Sequence, residues 1–197
     1  TKGEVITIAV GQRGDSATSG TLYDGSGGGT FVVRKAGNEP LFVAGGGSAD
    51  ANGTSGRDAT MTRLGGDSSA GQSAGTSPGQ GGLSGGGYSG GGGGFLTNGG
   101  TAAFSSGTVI AEGGGGFNSG LTMTTNVRTG GYGGFGGGAQ SDGVYRGQSG
   151  GAGGYSGGAG ARRTPAAVTG GGGGIYITPT ALSVGTSDGT YDTQSTF

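Results

Sequence analysis

Apolar positions along this chain fall into short blocks separated by glycine, and the blocks read as strands. Over residues 5–10, Ile6, Ile8 and Val10 alternate with Val5, Thr7 and Ala9, a period of two that predicts a strand with one strongly apolar face. Gly11 ends it. Phe31-Val32-Val33 and Leu41-Phe42-Val43 flank Gly37-Asn38-Glu39-Pro40, a turn signal, and together predict a hairpin. Further strands are expected over 108–111, 121–127 (where Leu121, Met123, Thr125 and Val127 share a face), 175–178 and 181–184. Residues 49–80 hold little to bury and predict a long surface loop. No window carries a sustained 3.6-residue apolar period, so essentially no α-helix is expected.

Composition changes this picture, because sixty of the 197 residues are glycine, many in uninterrupted runs such as 90–94, 113–116 and 170–174. Glycine lacks the side chain that could be buried and loses the most backbone freedom on ordering. Collagen is excluded, since the glycines are contiguous and prolines number four. Linker-like disorder fits the glycine and serine content but not the apolar blocks. An ordered glycine run has a natural conformation in the left-handed three-residue helix, which has no internal hydrogen bonds and rises about 3.1 Å per residue. Without side chains such rods can pack backbone to backbone and exchange amide bonds, the polyglycine II arrangement. Side chains should then recur every third residue, as Tyr132 and Phe135 do, and Ala152 and Tyr155 again. Rods are expected around 79–94, 112–116, 130–138, 147–161 and 169–174.

The expected fold is therefore mainly β and irregular, with β-strands packed around a bundle of polyglycine II helices in a single domain spanning 1–197. Residues 1–48 form its β-rich N-terminal part, 79–174 the bundle with interspersed strands, and 175–197 terminal strands and tail.

Charge and chemistry narrow the function. Net charge is −1 and charged residues are scattered, which leaves no electrostatic footprint for nucleic acid. Histidine and cysteine are both absent, removing the commonest general base, the thiolate nucleophile, the disulfide and the usual transition-metal ligands. With lysines only at positions 2 and 35, a phosphate-binding loop is not formed. Asp188 and Asp192 lack the spacing and terminal glutamate of a calcium loop. No enzymatic activity, metal or cofactor is expected. No apolar run approaches the ~20 residues of a membrane helix, so membrane insertion is not expected either. The absence of an initial Met fits a processed, secreted chain, and trimming explains it equally well.

Several candidate sites remain. Asn52-Gly53-Thr54 is a glycosylation sequon in the predicted loop. Arg13-Gly14-Asp15 spells an integrin-attachment tripeptide after the first strand, where a turn could expose it, although chance in a glycine-rich chain explains it better. Tyr132, Phe135, Tyr145 and Tyr155 are candidates for an aromatic surface able to stack on sugars; packing against rods and strands is the plainer reading. Val5, Ile6, Ile8 and Val10 at one end of the chain, and Ile175 and Ile177 at the other, are candidate assembly strands.

The order of blocks 6–14 (Ile-Thr-Ile-Ala-Val-Gly-Gln-Arg-Gly), 27–33 (Gly-Gly-Gly-Thr-Phe-Val-Val) and 39–47 (Glu-Pro-Leu-Phe-Val-Ala-Gly-Gly-Gly), followed by 130–138, 153–158 and 170–176, resembles the glycine-rich domain of the anaplastic lymphoma kinase and leukocyte tyrosine kinase receptors. Bacterial and bacteriophage polyglycine II surface proteins look similar. The resemblance implies β-strands wrapped around polyglycine II helices and display outside the cell. This chain lacks the cysteines of the receptor domains, so no receptor contact residues carry over.

The expectation is thus a non-enzymatic, extracellular structural or adhesive protein, a subunit of a surface or virion fibre whose partner is another copy of itself. The alternatives are a receptor-binding tip that grips a host glycan or protein through 49–78, 96–108 and 139–147, a receptor-type ligand-binding module, and, less attractively, an ice-binding face.

Overall fold

The computed structural model describes residues 3–15, 24–51, 53–74, 77–86, 88–103, 106–122, 124, 131–141, 148–162 and 167–179. Strands β1 (Ile6–Ala9), β2 (Thr30–Arg34) and β3 (Glu39–Ala44) form an antiparallel sheet; β4 (Ala102–Ala103) and β5 (Val109–Ala111) pair separately, and β6 (Tyr176–Ile177) joins the first sheet. Its order is β1-β2-β3-β6. A 3-10 turn, Ala36–Asn38, closes the hairpin with Gly37 at φ +80°, which glycine adopts at no steric cost. Among the described residues there is no α-helix. The strand expected over 181–184 and most of that over 121–127 lie outside the described residues. Leu121 itself is not in a strand: it sits at φ +52° after the turn Phe117–Ser119, with its side chain buried.

Strand register sorts the sheet into two rows. Ala9, Phe31, Val43 and Tyr176 are mutual partners across the four strands, and all belong to the apolar core or pack against it. On the opposite face, Ile8, Val32, Phe42 and Ile177 make the neighbouring row. The apolar face predicted for residues 5–10 is therefore real but turned outward, with the Thr7/Ala9 side toward the core. A period of two fixes which residues share a face, not which face is covered.

The interior beyond the sheet is main chain. Buried glycines fill 90–94, 136–138, 150–151, 153–154, 157–158 and 170–174. Their amides follow a three-residue rule. Gly90 and Gly93 donate to Gln140 and Gly137; Gly91 and Gly94 donate to Gly100 and Thr97; Gly92 and Phe95 donate to Gly158 and Tyr155, all at 2.7–3.1 Å. One six-residue tract thus bonds to three different neighbours in turn, each in falling, antiparallel order. Other pairs run parallel: Ser149, Ala152 and Tyr155 donate to Val168, Gly171 and Gly174. Buried amides need partners, and here neighbouring tracts supply them.

Most of the larger residues that replace glycine in this interior are alanine or serine, with Gln140, Gln148 and Thr169 buried among them. Ala139, Ala152, Ala159 and Ala161 are fully buried, and the hydroxyls of Ser26, Ser89, Ser141, Ser149 and Ser156 bond to backbone groups.

An aromatic side chain follows each of four such tracts at the same offset: 91–94 by Phe95, 113–116 by Phe117, 131–134 by Phe135 and 151–154 by Tyr155. Three of these rings meet in one series, and Phe135 packs against the same apolar cluster. Phe31 packs on Phe117 (centroids 5.2 Å), Phe117 on Phe95 (5.0 Å), Phe95 on Tyr155 (6.0 Å) and Tyr155 on Tyr176 (4.6 Å). The Arg63 guanidinium closes the series over the Tyr176 ring at 4.8 Å. This stack joins the glycine tracts to the inner face of the sheet.

The stretch 49–78 is not a free surface loop. Thr60 and Gly66 donate to Gly173 and Gly172, while Ala159 and Ile175 donate back to Gly66 and Thr62. Ala51, Ser68 and Ala74 are buried. Low side-chain apolarity predicts exposure only when side chains do the burying; here backbone does.

Candidate interaction surface

Strand β1 is one edge of the sheet, and its side chains are conspicuously open: Val5 is 57% exposed, Ile8 64% and Val10 64%, with Phe42 two strands away at 40%. Ile6 is exposed too. Ile6 and Ile8 lie on the outer face of the sheet, Ile8 in the row with Val32 and Phe42.

The backbone of the edge is open at the same residues. Lys35 donates to the Val5 carbonyl at 3.0 Å, so in the antiparallel alternation residues 5, 7 and 9 point their amides and carbonyls at β2. Ile6 and Ile8, and by continuation Val10, point theirs away from the sheet. Devices that usually blunt an edge are missing: Ile6–Ala9 contains no proline, no charge and no bulge against β2. The opposite edge differs. Strand β6 has two residues, and the outward amide just before it, that of Ile175, is taken by Thr62 at 2.8 Å.

One charged cluster fixes β1 to its neighbours. Arg34, on β2 opposite Ile6, donates from Nε to Glu4 and from Nη1 to Glu39, tying the chain before β1 to the start of β3. The hydrogen bond from Arg34 holds the Glu4 carboxyl below its usual pKa, and the two carboxylates raise that of Arg34.

The other sequence candidates are dispersed. Ile177 lies half-buried in the outward row opposite Phe42, and Ile175 is half-buried. Tyr132 is half-buried in a glycine tract, its carbonyl accepting from Asp15. Phe135 and Tyr155 pack against the core cluster. Burial, then the neighbouring Tyr176, raises the Tyr155 hydroxyl pKa. Tyr145 and Asn52 lie outside the described residues; Ala51, just before the sequon, and Thr54, its third residue, exchange backbone hydrogen bonds. The Arg13-Gly14-Asp15 tripeptide is not in a turn, although Arg13 and Asp15 are exposed. Gly14 is buried, and Asp15 bonds through its amide to Tyr132 and through its carbonyl to Gly25, so the backbone of the segment is tied to neighbouring glycine tracts.

An open polar cleft of about 410 Å³ lies between tracts 11–14, 24–28 and 46–50, rimmed by Gln12, Arg13, Asp24, Ser48 and Asp50. Among the described residues no group of three His, Cys, Asp or Glu could hold a metal, and no helix is long and apolar enough to cross a membrane. No protein-family model matches the chain, and no curated protein matches it.

The residues missed in the sequence are the capping aromatics acting as a set. Aligning the runs 91–94, 113–116, 131–134 and 151–154 exposes one repeated unit, glycine tract then ring, at intervals of about twenty residues.

Proposed function

We propose that this chain is a non-enzymatic structural or adhesive module of an extracellular or virion surface, a fibre subunit whose copies join through the sheet edge at β1. In this reading the glycine tracts form a polyglycine II lattice, a stiff scaffold that holds the sheet by its aromatic stack. The three-neighbour, three-residue hydrogen-bond rule of 90–95 supports the lattice. The observation that carries the assembly role is the open edge itself: unpaired main-chain groups and exposed aliphatic side chains coincide at Ile6, Ile8 and Val10. Fully burying one such side chain is worth about 1.5–3 kcal/mol, so a few of them meeting a partner suffice for association at modest concentration.

Sedimentation velocity over a wide concentration range tests this. The unaltered chain should associate as concentration rises, and Ile8→Lys should stay monomeric with unchanged melting. A chain that remains monomeric at high concentration would overturn the assembly role.

A further inference from the structure

The two edges of the sheet are too unlike to join head to tail. Strand β6 is short, and Thr62 already occupies its outward amide at Ile175. Strand β1 offers three consecutive outward positions, Ile6, Ile8 and Val10, all aliphatic and all exposed. The natural complement of such an edge is an identical one.

Antiparallel pairing of two identical strands places a two-fold axis on one residue, and that residue sets every other contact. An axis on Ile6 would set Ile8 against Glu4 of the second copy, and an axis on Thr7 would set Val10 against Glu4. In both, an aliphatic side chain meets a carboxylate that Arg34 holds in place. An axis on Ile8 is free of this conflict, and so is one on Ala9, but the latter sets Ile6 against Gln12, whose amide and carbonyl are already bonded to Phe135 and Gly28. Only the Ile8 axis pairs aliphatic with aliphatic throughout, Ile8 facing Ile8 and Ile6 facing Val10 in both directions. Outward amides and carbonyls then meet at all three positions, because 6, 8 and 10 share one orientation relative to β2.

We infer that two copies of this chain pair antiparallel along β1 about a two-fold axis through Ile8. The outward row Ile177-Phe42-Val32-Ile8 then runs on without interruption into Ile8-Val32-Phe42-Ile177 of the second copy, giving one eight-stranded sheet. The contact is isologous and closes at two copies, so a fibre would need a second, different contact. The inference rests on the assembly reading above and fixes its partner and register.

The chain has no cysteine, so single substitutions report the register directly. Directly opposed residues at a hydrogen-bonded antiparallel position lie about 5.5 Å apart between Cα atoms, within disulfide range. Under mild oxidation Ile8→Cys should form a covalent dimer, at least about tenfold faster than the exposed control Thr54→Cys, because pairing raises the effective concentration. A mixture of Ile6→Cys and Val10→Cys should cross-link between variants more than within either. Preferred self-linking of Thr7→Cys or Ile6→Cys would overturn the Ile8 axis, as would an associating chain whose Ile8→Cys variant links no faster than the control. In those cases sedimentation still shows association and the assembly reading stands. A chain that does not associate at all defeats both. Melting of each reduced variant confirms that it folds.

Discussion

Gly92 lies against Ala152 so closely that the Ala152 carbonyl takes the place a Cβ on residue 92 would need. The amide of Gly92 meanwhile donates to Gly158 at 2.9 Å, so the residue cannot retreat without losing a buried hydrogen bond. Glycine here is required by what surrounds it.

Gly92→Ala should therefore cost about 3 kcal/mol or more, lowering the melting temperature by on the order of 10 °C. Gly47→Ala is the control: it is exposed, its φ is not in the left-handed region, and an added methyl meets only the Arg57 carbonyl at ordinary distance. That change should leave stability within about 0.5 kcal/mol, or raise it slightly by restricting the unfolded chain. Equal losses for the two variants in thermal melts would refute a backbone-packed interior.

Tyr155 makes the fold sensitive to alkali. Its folded pKa is raised by burial and by Tyr176, so the stability it contributes is full below the ordinary tyrosine pKa of about 10 and is lost as pH rises through the higher folded value. Denaturant midpoints should fall above about pH 10, and Tyr155→Phe should shallow that fall while changing little at neutral pH. An unchanged alkaline slope in the variant would mean that other groups cause it.

Acid acts at the other end of the sheet. The Glu4 carboxyl is held below its usual pKa by Arg34, so its contribution is present above the unfolded value of about 4.3 and disappears as pH falls through the folded one. Because both groups are only partly buried, the effect is local and weakened by salt. Amide exchange at Thr7 and Ala9, the amides that face β2, should quicken below about pH 4 relative to that of the β2–β3 pairs, and Glu4→Gln should show the quick exchange already at neutral pH. Exchange in β1 that ignores both acid and the substitution would remove the clamp.

The hairpin of β2 and β3 was legible because its signals are local: two apolar triplets and a Gly-Asn-Glu-Pro turn. Strand β1 was legible as a strand and as a candidate assembly edge, but the direction of its apolar face was not, since Ile6 and Ile8 look the same whether they face a core or solvent. The role of 59–66 was hidden for a different reason. Its bonds to Gly172 and Gly173 are made by amides that every residue carries, so no side-chain pattern marks them. Two-residue β4 carries too little pattern to read. The edge residues of the candidate surface could be named from sequence, whereas their exposure and the closed state of the β6 edge needed the third dimension.

The crosswise bonding of the glycine tracts also decides how the molecule meets a mechanical load. Force along the tract axes strains many amide links in shear at once, and a tract such as 90–95 is tethered on three sides. Force that lifts β1 outward instead opens the rungs to β2 one after another, like a zip. The same chain is tough in one direction and yielding in another, and the yielding direction begins at Glu4.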